Sequence, residues 1–170
     1  AVGIMERHPN IGYVHCERDY IDANGNITEL DPFFDCSFMV SGEAMLPVYM
    51  MTDVAQAAQG LIRRDSFEKA GRHDTETDYA NIEREQWFRL SMISDYAYIR
   101  EKLSLIRIHE QTASSTTTNV FMYPVLLYKM LEGFLEWGKI KNYTAVLERE
   151  KLAFKKLGRD VLAYAVKYIK

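Results

Sequence analysis

Apolar and polar positions in the first third of the chain predict a short helix, a long strand and a tight turn. Residues 1–8 read as the end of a helix that is closed by a His-Pro pair, because the position before a proline disfavours helix. Residues 11–21 are rich in Tyr, Val and Ile and predict a strand, and Asn24-Gly25 after them is a strong turn signal. The Met-rich stretch 41–52 predicts a short helix or a lid.

The chain is organised around residues 59–109, which begin with a predicted buried strand. A short helix follows, with Asp65 where an N-cap belongs and Glu68 three residues further on, a capping-box pattern. Gly71 stands where this helix should end. The acidic stretch 75–82 has no strong apolar period and is interpreted as a loop.

A second helix and a β-hairpin complete this central stretch. Apolar residues at helical spacing predict a helix that begins at Glu83 and buries Trp87 and Leu90. Alternation of apolar and polar residues in 96–99, and again in 103–108, predicts two strands.

Three further helical patterns follow, over 120–137, 142–157 and 160–169. Gly138 and Gly158 separate them, as glycine often does at helix ends. Lysines cluster on the polar faces of the last two patterns.

Composition and charge narrow the class of protein. At 170 residues with 48% hydrophobic residues, the chain is long enough to bury a core. The net charge of −3 argues against a nucleic-acid binder. Residues 1–118 hold 11 Lys and Arg against 19 Asp and Glu, a balance of −8, whereas residues 119–170 hold 10 against 5, a balance of +5.

The expected cellular location follows from features that the sequence lacks. Two cysteines are too few for a disulfide framework and have no metal-motif spacing, which makes a reducing cytosol the expected location. No apolar run approaches the ~18 residues of a membrane span. The N-terminus lacks the pattern of a signal peptide, and because it reads as the end of a helix, we expect a piece of a longer chain.

Three segments in a row resemble the C-terminal half of the catalytic domain of family 2 glycosyltransferases. They are RRDSFEKAGRHD, an acidic helix start that ends in QWFRL, and YAYIREKLSLIRIHEQTAS. The resemblance covers roughly residues 4–118. It implies an α/β fold, in which 1–118 are the C-terminal portion of a GT-A type domain and 119–170 a three-helix extension. The implied activity is transfer of a sugar, with inversion, from a nucleotide-sugar to a glycan or lipid-linked acceptor, as in polysaccharide biosynthesis.

An inverting transfer needs a base for the acceptor hydroxyl and a cation that offsets the charge of the departing diphosphate. The resemblance places the catalytic base at Glu83, four residues before Trp87, and a second acid at Glu85. The usual Glu-Asp doublet is Ile-Glu here. The alternative is that both glutamates complement the helix dipole as first-turn acids.

The resemblance also implies binding residues. It places Trp87 near the acceptor cleft, although core packing is the alternative for that residue. His109 would lie near the diphosphate and a divalent metal, Mn or Mg, which is expected for the complete enzyme. Arg107 could hold phosphate bidentately or pair with a surface carboxylate. Asp74 is expected to fix its loop by bonding backbone amides.

Other interpretations stay open at this point. Glu17 and Asp19 share one strand face, so they are either a paired-carboxylate site or surface charge. No Asp-x-Asp donor motif precedes residue 20, so the chain alone is expected to bind a nucleotide-sugar weakly. The rival functions are a non-catalytic binding or regulatory module, and a module that associates with the inner face of a membrane through basic helices over 139–170.

Overall fold

The computed structural model describes residues 1–71, 82–109 and 122–168. The α-helices are α1 (Val2–Arg7), α2 (Gly42–Met51), α3 (Arg64–Ala70), α4 (Ile82–Ser91), α5 (Met122–Lys141), α6 (Thr144–Leu147) and α7 (Glu150–Tyr168). The strands are β1 (Ile11–Ile21), β2 (Ile27–Thr28), β3 (Phe38–Val40), β4 (Gly60–Ile62) and β5 (Asp95–Arg107). A 3₁₀ helix, Ala57–Gln59, leads directly into β4.

The strands form one five-stranded mixed sheet. Its order is β2-β1-β5-β3, with β4 paired to the same edge of β1 as β2. Strands β1 and β5 run parallel, while β2 and β4 pair antiparallel with β1, and β3 pairs antiparallel with β5. The α/β class predicted from the sequence is therefore confirmed.

The two faces of the β1–β5 pair are covered differently. Tyr13 and Tyr96 point towards α2 and α4 and belong to the larger core cluster. The intervening side chains Val14 and Ala97 point the other way and pack with Met5 of α1. This alternation follows from the period of two along a strand, and it places the inward-facing polar residues of β1 beside the helical layer.

The C-terminal helices pack on the same core. Phe134 of α5 stacks on Phe88 of α4, with ring centroids 3.9 Å apart and 6° between the planes. Buried apolar residues of α5, α6 and α7 join the cluster around α2 and α4; they are Leu127, Leu131, Leu135, Val146, Ala153 and Leu157. The predicted division between 1–118 and 119–170 falls outside the described residues. Among the described helices, none has the length and apolar character that crossing a membrane requires.

Several local predictions are confirmed. Strand β1 has the predicted bounds, and the turn after it is held by the Asp22 carboxylate, which accepts from the backbone N–H groups of Asn24 and Asn26 at 2.8 Å. Gly25, in this turn, has φ +91°, and Gly71, which ends α3, has φ +83°. Glycine adopts positive φ without steric cost, which explains its presence at both positions. Stretch 41–52 forms α2.

The predicted hairpin is wrong, because 95–107 form one long strand. β5 pairs in parallel with nearly the whole of β1, from Ile11↔Asp95 to Ile21↔Arg107. β5 has more residues than the part of β1 that it pairs with. The register shifts between Cys16 and Arg18 take up this excess as a bulge-like irregularity, so no turn is needed.

Three predictions about ends and burial are also wrong. Arg63 is the N-cap of α3 and Asp65 lies inside its first turn, with no side-chain cap bond. Strand β4 is only half buried, since it pairs with β1 over three residues and leaves Leu61 37% exposed. Gly158 lies inside the continuous helix α7, since a single helical glycine costs only ~1 kcal/mol relative to alanine and does not by itself end a helix.

Gly138 lies within α5 rather than after it. A Cβ atom there would come within 3.0 Å of Cγ1 of Val146. The glycine thus lets α6 approach α5 closely, which is a packing requirement and not a helix stop.

Candidate catalytic site

The loop over 52–59, which joins α2 to β4, is fixed to three neighbouring elements. The Gln59 side chain donates to the Cys16 carbonyl of β1 at 2.9 Å, and the indole of Trp87 in α4 donates to the Ala55 carbonyl at 3.1 Å. The hydroxyl of Ser104 in β5 donates to the same loop at 3.3 Å. The loop therefore has a defined position over the parallel strands and against α4.

Glu83 lies in the first turn of α4, facing this loop. Burial raises the pKa of its carboxyl above the usual value, and a hydrogen bond with the backbone of Ala57 partly offsets that rise. Desolvation of the Glu83 carboxyl thus outweighs its hydrogen bond to the Ala57 backbone. A half-buried carboxylate with a raised pKa is a chemically suitable proton acceptor.

A second carboxylate, Asp53, lies close to Glu83. Its side chain accepts from the backbone N–H of Ala55 at 3.4 Å. Although Asp53 reaches solvent, the surrounding protein desolvates it and raises its pKa to about 6; the negative charge of Glu83 adds to the rise, while Arg84 opposes it. The sequence analysis did not single out Asp53, and its one available signal was an acid in an apolar stretch directly after a helix.

Arg84 supplies a buried positive charge next to these acids. It is 6% exposed, and its Nε donates to the Tyr49 carbonyl of α2 at 2.6 Å. Burial lowers its pKa to about 10, and the nearby carboxylates of Asp53 and Asp160 oppose that effect. Its position between α2, α4 and α7 makes Arg84 a structural link as well as the counter-charge of Asp53.

Glu85 has a different environment from Glu83. It pairs with Arg89 one turn along the helix, at 3.8 Å between Nε and Oε1. Residues two apart on a helix point in different directions. The structure thus gives the two predicted acids separate surroundings, and only Glu83 faces the loop.

Trp87 is 2% exposed and lies beneath the loop. Its ring stacks on Tyr13 with centroids 5.9 Å apart and meets His15 edge-on at 4.3 Å. In this position Trp87 supports the loop through Ala55, and its predicted role in binding substrate stays a prediction.

The two predicted residues at the end of β5 lie on the surface. Arg107 donates from Nη1 to the Asp22 carbonyl at 2.8 Å and so ties β5 to the turn after β1. His109 follows Ile108, whose backbone N–H donates to the Ile21 carbonyl at 2.9 Å. Their predicted contacts with phosphate and metal stay predictions.

Within residues 1–71, 82–109 and 122–168, no group of three or more His, Cys, Asp or Glu side chains lies close enough to hold a metal ion. The Mn or Mg ion implied by the resemblance therefore stays an expectation for the complete enzyme. Asp74 and most of the predicted acidic loop lie outside the described residues.

Glu17 and Asp19 are buried anchors. Glu17 is fully buried and accepts from the Phe33 backbone N–H at 2.7 Å and from the Tyr98 hydroxyl. Asp19 is 8% exposed, accepts from the Leu30 backbone N–H at 2.9 Å and pairs with Lys102 at 2.8 Å. The interpretation as surface charge is wrong, because both carboxylates instead hold the segment between β2 and β3 against the sheet.

Comparison of the chain with protein-family models finds no match, and comparison with curated proteins finds none either.

Proposed function

We propose that this chain is the acceptor and catalytic-base portion of an inverting, GT-A type glycosyltransferase related to family 2, with Glu83 as the base. The observation that carries the proposal is the environment of Glu83. Its carboxyl group is half-buried at the start of α4, with a raised pKa, against an ordered loop that brings Asp53 beside it. The order of motifs along the chain supports the same assignment.

In this mechanism an acceptor hydroxyl attacks the anomeric carbon of the donor sugar. A bond forms between that carbon and the acceptor oxygen while the bond to the diphosphate oxygen breaks, and the hydroxyl proton passes to Glu83. A raised pKa helps this step, because a more basic carboxylate takes the proton more readily. The product is the inverted glycoside, and the diphosphate leaves with the bonding electron pair.

Asp53 and Arg84 support the base in this proposal. Asp53 reaches solvent beside Glu83 and can accept a hydrogen bond from a sugar hydroxyl, which would orient the acceptor. Arg84 offsets the negative charge of Asp53 without itself reaching the surface. Positioning of this kind matters because a displacement of about 1 Å can cost on the order of a hundredfold in rate.

The test is a pair of isosteric substitutions in the full-length native protein. Glu83→Gln keeps the shape and removes the proton acceptor, so kcat should fall by about 10²–10⁴ with little change in donor KM. Glu85→Gln is the matched control, since it removes an equal charge from the same helix turn but faces Arg89. Release of nucleoside diphosphate from a panel of nucleotide-sugars, with an acceptor panel, measures both.

Two results would contradict the proposal. Equal, mild effects of the two substitutions would mean that both glutamates only complement the helix dipole. A protein that binds saccharides but releases no diphosphate from any donor would be a non-catalytic binding module instead.

A further inference from the structure

The outward side of α7 carries a continuous line of basic and then apolar residues. Lys151, Lys155 and Arg159 recur every four residues and are all exposed. The same line continues to Leu162, which is 65% exposed, and Val166, which is 59% exposed. At 3.6 residues per turn these five positions fall within a sector of about 80° and extend over about 22 Å. We call this line the outer stripe.

A groove of about 410 Å³ adjoins the outer stripe, between α7 and the end of α2. Its apolar lining is Met51, Leu152 and Ala163, and its charged lining is Lys155, Lys156, Arg159 and Asp160. Asp160 is already paired with Lys156 at 3.0 Å. The groove lining therefore combines apolar side chains with an excess of positive charge.

The charge of this face is opposite to that of most of the chain. Residues 150–168, which form α7, hold five Lys and Arg against two Asp and Glu, a balance of +3, whereas residues 1–118 have a balance of −8. A negatively charged surface would therefore attract α7 and repel residues 1–118, which favours the orientation with α7 towards that surface. Exposed apolar side chains at the same face are unfavourable in water but favourable at the boundary between lipid headgroups and acyl chains.

We propose that α7 is a membrane-docking helix, whose outer stripe and adjoining groove bind the surface of a bilayer that contains anionic phospholipids. Phosphate headgroups meet Lys151, Lys155 and Arg159, while Leu162 and Val166 enter the interface. The helix lies on the membrane rather than across it, consistent with the absence of a spanning helix among those described. This inference stands independently of the proposed catalytic function.

Other occupants fit this face less well. A nucleic acid would satisfy the cations but leave Leu162 and Val166 exposed to water or to phosphate. A second copy docking symmetrically would place the cations of one stripe either against those of the other or against Leu162 and Val166, and neither arrangement supplies a counter-charge. A bilayer is the surface that offers negative charge and an apolar layer in the same plane.

Flotation of the 170-residue protein with two kinds of vesicle tests the proposal. Vesicles of phosphatidylcholine with about a third phosphatidylglycerol should carry the protein upward, and vesicles of pure phosphatidylcholine should not. High salt should release it, because the headgroup contacts are screened. A soluble headgroup, glycerol 3-phosphate, should not compete, since it offers no apolar layer.

Three sets of substitutions at exposed positions separate the contributions. Lys151→Gln, Lys155→Gln and Arg159→Gln together should weaken partitioning on the order of a hundredfold, because each basic residue near an anionic surface contributes roughly fivefold. Leu162→Ser with Val166→Ser should weaken it about tenfold or more. The matched control replaces three exposed lysines of α5, Lys129, Lys139 and Lys141, by glutamine. These substitutions should change partitioning by less than about threefold.

The proposal fails on any of four results. The first two are equal partitioning of the protein to both kinds of vesicle and full competition by glycerol 3-phosphate. The other two are unchanged partitioning of the Leu162→Ser/Val166→Ser variant, and partitioning of the α5 control variant as weak as that of the Lys151, Lys155 and Arg159 variant. Circular dichroism of each variant verifies that α7 is still helical. The salt and lipid dependence of the unmodified protein tests the proposal without any substitution.

Discussion

His15 gives the sharpest physical prediction, because its imidazole is fully buried in an aromatic environment. Tyr13, Trp87 and Tyr96 surround the ring, with centroids 4.3 to 5.6 Å away. Within the described part of the chain, neither ring nitrogen has a hydrogen-bond partner. Burial lowers the pKa of His15 from 6.5 to about 3. The folded protein therefore holds a neutral imidazole over the whole physiological range.

This lowered pKa makes the free energy of unfolding depend on pH. The unfolded chain binds a proton at His15 near pH 6.5, whereas the folded chain does not bind it until about pH 3. The His15 contribution to stability is thus fully present above pH 6.5 and is lost as pH falls. Between pH 7 and pH 5 the loss is about 2 kcal/mol, and it reaches about 5 kcal/mol below pH 3.

The perturbation is His15→Leu, which keeps a similar volume and cannot bind a proton. At pH 7 we expect equal or greater stability, by about 1 kcal/mol, since a buried polar group without partners is removed. Between pH 7 and pH 5 the variant should gain about 2 kcal/mol relative to wild type. Chemical denaturation followed by circular dichroism at several pH values measures both.

The difference between variant and wild type is the correct quantity, because other groups titrate in the same range. Asp53 has a raised pKa of about 6, so its contribution is present at low pH and is lost as pH rises through that value. This effect opposes that of His15 in the wild-type curve, but it cancels when the two proteins are subtracted.

Leu90→Val is the matched core control. Leu90 is fully buried in the same cluster, so the substitution should lower stability at every pH without changing the slope. A His15→Leu curve that runs parallel to wild type from pH 7 to pH 5 would refute the reasoning, because it would mean that His15 takes up its proton in the folded state.

Two further predictions concern the core and the donor. Phe134→Ala removes the stacked partner of Phe88 and should lower the free energy of unfolding by about 3–5 kcal/mol in denaturation experiments. Tyr128→Ala, at a position 44% exposed on the same helix, should lower it far less. Comparable losses would mean that α5 does not contribute to the core through Phe134. Calorimetry with nucleotide-sugars and manganese should detect no micromolar binding to the 170-residue chain, because its sequence contains no Asp-x-Asp motif; micromolar affinity for any donor would contradict this expectation.

The sequence alone determined the elements whose cause is local. Strand β1, helix α4, the turn at Gly25 and the glycine that ends α3 follow from side-chain period and backbone freedom. These signals depend on residues a few positions apart, so they can be read without knowing what the segment contacts. Glu83 has a different origin: the local pattern alone indicates a first-turn acid, and only the resemblance to family 2 glycosyltransferases suggests a base there, which stays a proposal.

Tertiary structure decided whatever depends on distant partners. Residues 95–107 form one strand because β1 pairs along them over nearly its whole length. Glu17 and Asp19 are buried because Phe33 and Leu30 supply their hydrogen bonds. Asp53 comes close to Glu83 only when the 52–59 loop folds over the sheet, and no local period encodes an approach between residues thirty positions apart.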